Sequence, residues 1–167
     1  MREWLYNVGE IKVGGSDRPA LVDDGDLSRV SGMTWRLQKK ANGTRYVVSD
    51  IRCNGRVEKL LLHREIMQAP PDALVDHKNL DGLDNRRDNL RLATNSQNLG
   101  NQRSRLGSSK YKGVSWDAQK SKWRVQVTCC GKTYRLGRFA SEVEAAKKYD
   151  EKAKELWGDF ALLNFND

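Results

Sequence analysis

Residues 75–99 read VDHKNLDGLDNRRDNLRLATNSQNL, an Asp-His pair followed by five Asn within 25 residues. Asn and Asp are at home in turns, because their side chains bond their own backbone and tolerate left-handed conformations. An elaborate turn would therefore explain the composition but not the order. The apolar lead-in of PPDALV reads as a strand ending at Asp76-His77, KNLDGLDNRRD as a polar loop, and NLRLAT as a second short strand. Thr94 with Gln97 three residues later is a capping box, which opens a helix bearing Asn98 and Asn101. Upstream, KLLLHREIM, residues 59–67, reads as a strand end running into a helix. His63, beside a Leu run, is read as a packed structural residue.

Strand, loop, strand and helix bring the end of the first strand toward the first turn of the helix. Asp76 and Asn98 then offer hard oxygen ligands, which suit magnesium or manganese and not zinc. His77 points to the other side of the strand, free to take a proton from a water attacking a phosphodiester, while a metal stabilises charge on the leaving oxygen. Asn89 is placed to hold the imidazole in one tautomer.

The segments LHREI, VDHKN, DNRRDNLRLAT and TNSQN, spanning Leu61 to Asn101, resemble the HNH, or ββα-metal, nucleases, especially phage and intron-encoded homing endonucleases. The resemblance implies His77 as general base, Asp76 and Asn98 as ligands of one divalent cation, Mg2+ or Mn2+, and Asn89 as the residue that orients His77. Asn85 matches a polar loop position, and Arg64 is placed near the DNA backbone. Asn98 stands where many members carry His, which favours a magnesium-like ion.

Charge points to the same substrate. The net charge is +8, distributed as +3 over residues 1–60, −1 over 61–101, +9 over 102–140 and −3 over 141–167. So dense a basic segment is the electrostatic footprint of a polyanion, because each neutralised phosphate releases condensed counterions. Within it, strands are expected at Tyr111–Trp116, Lys122–Thr128 and Lys132–Leu136, with CCG as a hairpin turn. Trp123, Val125 and Val127 alternate onto one face, Arg124, Gln126 and Thr128 onto the other. Ser141 and Glu144 cap a helix whose apolar stripe, Val143, Ala146, Tyr149, Ala153 and Leu156 or Trp157, covers the first face, and Gly158 ends it. The other face stays open, with Arg124, Gln126, Thr133 and Arg135 on it and Lys112, Arg138 and Trp116 near its rim. Such a ribbon fits the DNA major groove.

The stretch from YKGV through KWRVQV, LGRF and EAAKKYD to LLNF, Tyr111 to Phe165, resembles an ethylene-response-factor type DNA-binding domain, the Apetala-two fold. The similarity implies a three-stranded sheet in the major groove, backed by one helix. Carried over by position, the DNA contacts are Lys112, Ser115, Gln126, Thr128, Thr133 and Arg135. Ser or Thr stand at several positions that are Arg in the plant proteins, so base preference does not transfer.

In the first sixty residues, DDGDL suggests a turn into a short helix, and TWRLQ, TRYVVSDI and VEKLLL read as strands. Hairpin turns are expected at Asn42-Gly43 and Asn54-Gly55, giving a small antiparallel sheet with a basic edge of Lys39, Lys40, Arg45 and Arg52. Cys53, Cys129 and Cys130 form no CxxC pair and read as reduced thiols, with neither a disulfide framework nor a zinc site. The chain lacks a signal-peptide core and any apolar run of about 18 residues, which predicts a cytoplasmic protein without membrane contact.

The expected fold class is α+β. An N-terminal sheet and nuclease domain spans residues 1–101, with its core motif at 61–101; a basic linker spans 102–110, and the DNA-binding domain 111–167. The expected function is a site-specific, metal-dependent DNA endonuclease of the homing type, from a phage, prophage or intron. Its partner is double-stranded DNA, and one active centre predicts a nick by a monomer. The alternative is a DNA-binding transcriptional regulator with an inert nuclease fold. RNA recognition fits less well, since the open face lacks aromatics that stack single-stranded bases, Trp116 excepted.

Overall fold

The computed structural model describes residues 8–41, 43–103 and 107–165. It is an α+β chain of two compact units, Met1–Ala93 and Thr94–Asp167.

In the first unit, β1 (Val8–Ile11) pairs antiparallel with β3 (Ala20–Asp23). A four-stranded sheet has the order β2-β4-β5-β6, from Val13–Gly14, Trp35–Lys39, Arg45–Cys53 and Arg56–Leu61. Strands β5 and β6 form the hairpin that Asn54-Gly55 predicts, with φ of 50° and 76° at the two turn residues, the left-handed pair of a type I′ turn. Asn42 of the other expected turn lies outside the described residues. Helix α1 (Asp24–Val30) follows β3 directly, as DDGDL suggests, and α2 (Leu62–Met67) follows β6. Val22, Val30, Val47, Leu62 and Ile66 have no exposed surface, and Trp35, whose indole N–H donates to Val30 O at 2.8 Å, closes the core. Each fully buried side chain of this size stabilises by ~1.5–3 kcal/mol. Against this core lies a two-stranded ribbon, β7 (Leu74–His77) antiparallel to β8 (Leu90–Ala93). The loop between them is tied to β3, with Leu21 N–H bonding Leu83 O and Asn85 N–H bonding Leu21 O, both at 2.8 Å.

The second unit begins at Thr94. Thr94 and Gln97 form the expected capping box, but the helix they open, α3 (Asn95–Gly100), groups with the C-terminal elements and not with β7 and β8. Packing explains this. The Trp157 indole donates to Ser96 Oγ at 3.1 Å, and a Cβ on Gly100 would lie 2.8 Å from the Trp157 ring, so only glycine lets α3 approach so closely. Strands β9 (Val114–Asp117), β10 (Lys122–Cys129) and β11 (Lys132–Phe139) form an antiparallel sheet in the order β11-β10-β9. Helix α4 (Glu142–Trp157) starts at Ser141, whose side chain accepts from Glu144 N–H, and lays Ala145, Ala146, Tyr149 and Ala153 on Val114, Val125 and Val127. A bulge lets Leu136 turn inward: Val125 pairs with Gly137 and Gln126 with Arg135, so β11 carries one residue more than β10 there.

Candidate active site and candidate nucleic-acid interface

In the first unit, the antiparallel register sets Asp76 opposite Arg91 and His77 opposite Leu90. Asp76 and His77 are both buried, with 5% and 6% of their surface exposed. Asp76 Oδ2 accepts from Arg91 Nε at 3.0 Å and Nη2 at 2.9 Å. His77 Nε2 lies 3.2 Å from Asn85 Oδ1, and Asn85 Nδ2 donates to Gly82 O, which turns the amide oxygen toward the ring. Burial lowers the affinity of His77 for a proton, opposed by the Asn85 bond and the charge of Asp76. The ring is thus held neutral and oriented, the state a general base requires.

This corrects two expectations. The amide on the imidazole is that of Asn85, not Asn89. Asn89 is committed to the loop: its Nδ2 donates to Asn79 Oδ1 at 3.0 Å and Asp84 O at 2.7 Å, and its Oδ1 accepts from Asn79 N–H at 3.1 Å. Sequence order could not choose between two Asn four residues apart in one loop. The choice rests on the path of the loop, which docks Asn85 on β3. Arg64 is the second correction. Its guanidinium donates to Ala73 O, to Pro70 O at 2.6 Å and to Ala69 O at 3.3 Å, so it holds the turn after α2 and is not extended toward a DNA backbone.

The loop is rigidified by its acids. Asp84 takes Arg86 Nε at 2.8 Å and Asn79 Nδ2 at 2.9 Å, and these partners hold its carboxyl below the usual range. Asp81 takes Arg18 at 2.7 Å. Arg87 clamps the 3-10 turn before β8 to buried Asp26 at 2.7–2.8 Å and to Ile66 O at 2.8 Å.

One participant in this neighbourhood went unread as such in the sequence. The His63 ring meets the His77 ring edge to face at 5.1 Å and the Tyr46 ring at 5.3 Å. Among the described residues, His63 Nδ1 is a buried nitrogen with no hydrogen-bond partner, and burial lowers its pKa to about 3, so it is neutral at ordinary pH. It is packed, as expected, but packed against His77. Its sequence signal, a lone His in LHREI, does not say what it touches.

Among the described residues no three His, Cys, Asp or Glu side chains cluster as a metal cage. The carboxylate beside His77, Asp76, is ion-paired with Arg91, and as an oxygen ligand it suits a hard cation that keeps much of its own water better than zinc. Asn98 lies on α3 of the second unit, half-exposed.

In the second unit, the open sheet face is as expected. Arg124, Gln126, Thr128, Thr133, Arg135 and Arg138 are exposed, and Ser115 is partly so. Cross-strand register places Arg124 beside Ser115 and Arg138, Gln126 beside Arg135, and Thr128 beside Thr133, whose hydroxyls are 3.0 Å apart. Two Arg directly opposite one another destabilise a sheet, and the acid at hand, Asp117, bonds Arg138 at 2.8 Å. A face that accepts this repulsion suits a polyanion. Exposed Trp116, edge to face with Trp123 at 5.0 Å, stands at its rim. Lys112 is the exception. Its ammonium donates to Gly100 O and sits over the Tyr149 and Trp157 rings at 6.0 and 5.7 Å, and burial lowers its pKa to about 8. Lys112 serves the interior of the unit and not the open face.

Comparison with known proteins covers both units. A family model described as HNH endonuclease matches residues 68–99, and one described as AP2 domain matches residues 109–159. An uncharacterized HNH endonuclease of Acanthamoeba polyphaga mimivirus is 32% identical over 135 residues, which is 81% of this chain and 68% of that protein. Protein 3.8 of Escherichia phage T7 is 32% identical over 93 residues, 55% of this chain and 76% of its own length. APETALA2-like protein 2 of Oryza sativa is 39% identical over 62 residues, 37% of this chain but 14% of the plant protein.

Proposed function

The chain belongs to the HNH endonuclease family, and from that membership we propose that it is a metal-dependent, site-specific DNA endonuclease of the homing type, guided by its AP2 domain. The observation that carries this reading is His77: a neutral, buried imidazole beside Asp76, with its ring fixed by Asn85. His77 takes the proton of the attacking water. Asn85 keeps the ring from rotating out of line, and burial keeps it unprotonated and ready to accept. Asp76 is the residue of the first unit that would hold a magnesium or manganese ion, which when bound stabilises charge on the leaving oxygen. Arg124, Gln126, Arg135 and Arg138, with Ser115, Thr128 and Thr133, lie against the duplex. Arg and Gln can read guanine and adenine edges, and the hydroxyls bond phosphates. One such centre per chain nicks one strand as a monomer. The mimivirus and phage relatives favour action on DNA inside a host cell, and among the described residues no helix is long and apolar enough to cross a membrane.

The rival reading is a DNA-binding regulator with an inert nuclease unit. On its side stands the Arg91 guanidinium on Asp76, where a cation would need to bind. Supercoiled DNA from the source genome, incubated with wild type and with His77→Ala in magnesium, manganese or chelator, separates the two. Metal-dependent nicking by wild type alone is expected. Duplex binding by both proteins with no cutting in either metal would favour the regulator.

A further inference from the structure

The tip of the β10–β11 hairpin is built from residues that its turn does not ask for. Cys130 and Gly131 have φ of 51° and 75°, the left-handed pair of a two-residue hairpin turn. Asn, Asp or Gly ordinarily fill the first of these positions, because a residue with a Cβ is strained there. Cysteine has no such advantage, so another property of its side chain is in use.

Geometry suggests which. Adjacent residues of an extended strand point to opposite faces. The left-handed backbone at Cys130 breaks that alternation and swings its sulfur back until Cys129 Sγ and Cys130 Sγ are 3.7 Å apart. The two thiols are unlike. Cys129 is half-buried against the core of its unit, whereas Cys130 is exposed.

A chain of donors ends on the exposed one. The Trp157 indole N–H donates to Ser96 Oγ at 3.1 Å. The Cys129 thiol has one proton and donates it to Cys130 Sγ, so in the contact between Ser96 Oγ and Cys129 Sγ, 3.2 Å apart, the hydroxyl is the donor. Each donor polarises the next, and the last sulfur gains the most as an anion. The Ser96 and Cys129 hydrogen bonds accordingly hold the Cys130 thiol below its ordinary range. An exposed, thiolate-favouring sulfur with a second, shielded sulfur beside it is the arrangement of a nucleophilic and a resolving cysteine.

We propose that Cys130 and Cys129 form a peroxide-reactive thiol pair, in which Cys130 Sγ is the nucleophile, Cys129 Sγ the resolving thiol, and a vicinal disulfide the product. In the first step the Cys130 thiolate attacks one oxygen of hydrogen peroxide. The O–O bond breaks, hydroxide leaves and is protonated to water, and Cys130 becomes a sulfenic acid. In the second step Cys129 Sγ attacks Cys130 Sγ, the S–O bond breaks, and hydroxide leaves with the Cys129 proton as a second water. Two thiols and one peroxide thus give one disulfide and two waters. Ring closure draws Cys129 away from Ser96. This inference stands independently of the nuclease reading.

The test uses the full chain, reduced and then exposed to hydrogen peroxide, with thiol titration and peptide mass mapping. Three thiols are free at the start, Cys53 being the third. The expected result is loss of two of them, a 129–130 peptide lighter by two hydrogens, and full recovery with dithiothreitol. Cys130→Ser should slow thiol loss at least about tenfold. Cys129→Ser should stop at a sulfenic acid on Cys130 that dimedone traps. Oxidation of Cys53 first, disulfide-linked dimers as the main product, or an unchanged rate in Cys130→Ser would each overturn the proposal. Both variants change an exposed or half-buried thiol to a hydroxyl, and circular dichroism of the reduced proteins confirms that they are folded.

Discussion

At the scale of single residues, the nuclease reading turns on which amide holds His77. Asn85 is fully buried and spends its nitrogen on Gly82 O and its oxygen on the His77 ring. Asn85→Ala should therefore lower the rate of DNA cutting by about 10–100-fold, the loss typical of residues that orient a catalytic ligand, with duplex affinity within twofold of wild type. Cutting rate and affinity measured on one duplex check it; equal cutting by the variant would mean that the ring needs no such support. His63 makes a second prediction, about stability. Its pKa is lowered from 6.5 to about 3 in the folded chain, so between those values the unfolded chain binds the extra proton. Stability then rises with pH through this window and is lost as pH falls from about 6.5 toward 3, at up to ~1.4 kcal/mol per unit from this residue. Denaturant midpoints of wild type and His63→Phe between pH 6.5 and 4 test the slope, which should be shallower in the variant.

At the scale of elements, both candidate sites depend on close approaches and on register. The loop between β7 and β8 meets β5 at Gly82, where an added Cβ would lie 1.9 Å from Arg45 O. Backbone cannot yield as a flexible side chain can, so Gly82→Ala should cost more than about 2 kcal/mol and displace the loop that carries Asn85. Thermal unfolding and cutting should fall together. The sheet of the second unit makes the opposite kind of prediction. Arg124 and Arg138 face one another across β10 and β11. Arg124→Gln should leave stability unchanged or raise it by up to ~1 kcal/mol, since a like-charge pair is removed, while duplex binding weakens. Stability and affinity moving in the same direction would show that the arginine serves the fold.

At the scale of the whole molecule, charge placement governs how the chain meets DNA. Of the net +8, residues 102–140 carry +9 and the rest nets −1. Binding of duplex should weaken steeply with salt, with a log-log slope of about −0.9 for each phosphate contact, and Arg124→Gln should reduce that slope by about one contact if it touches phosphate. An affinity independent of salt would remove the polyanion argument altogether. Each unit has its own core, and the residues matched by the HNH endonuclease model, 68–99, and by the AP2 model, 109–159, do not overlap.

The sequence alone determined the α+β class, the strand alternation of β10, the capped starts of α3 and α4, the Asn54-Gly55 turn, and His77 beside Asp76 as the centre of interest. These are local properties, set by side-chain periodicity, capping chemistry and turn preference within a few residues. The β1–β3 pairing, the bulge in β11, the placement of α3, the exchange of Asn89 for Asn85, and the inward turn of Lys112 and Arg64 were decided by tertiary structure. Each is settled by partners distant along the chain: Leu21 fixes where Asn85 sits, Trp157 where α3 packs, and Gly100 O what Lys112 bonds. A polar side chain offers several bonds of similar strength, and the sequence records its capacity for them. Only the packed backbone brings one partner within 3 Å and leaves the others out of reach.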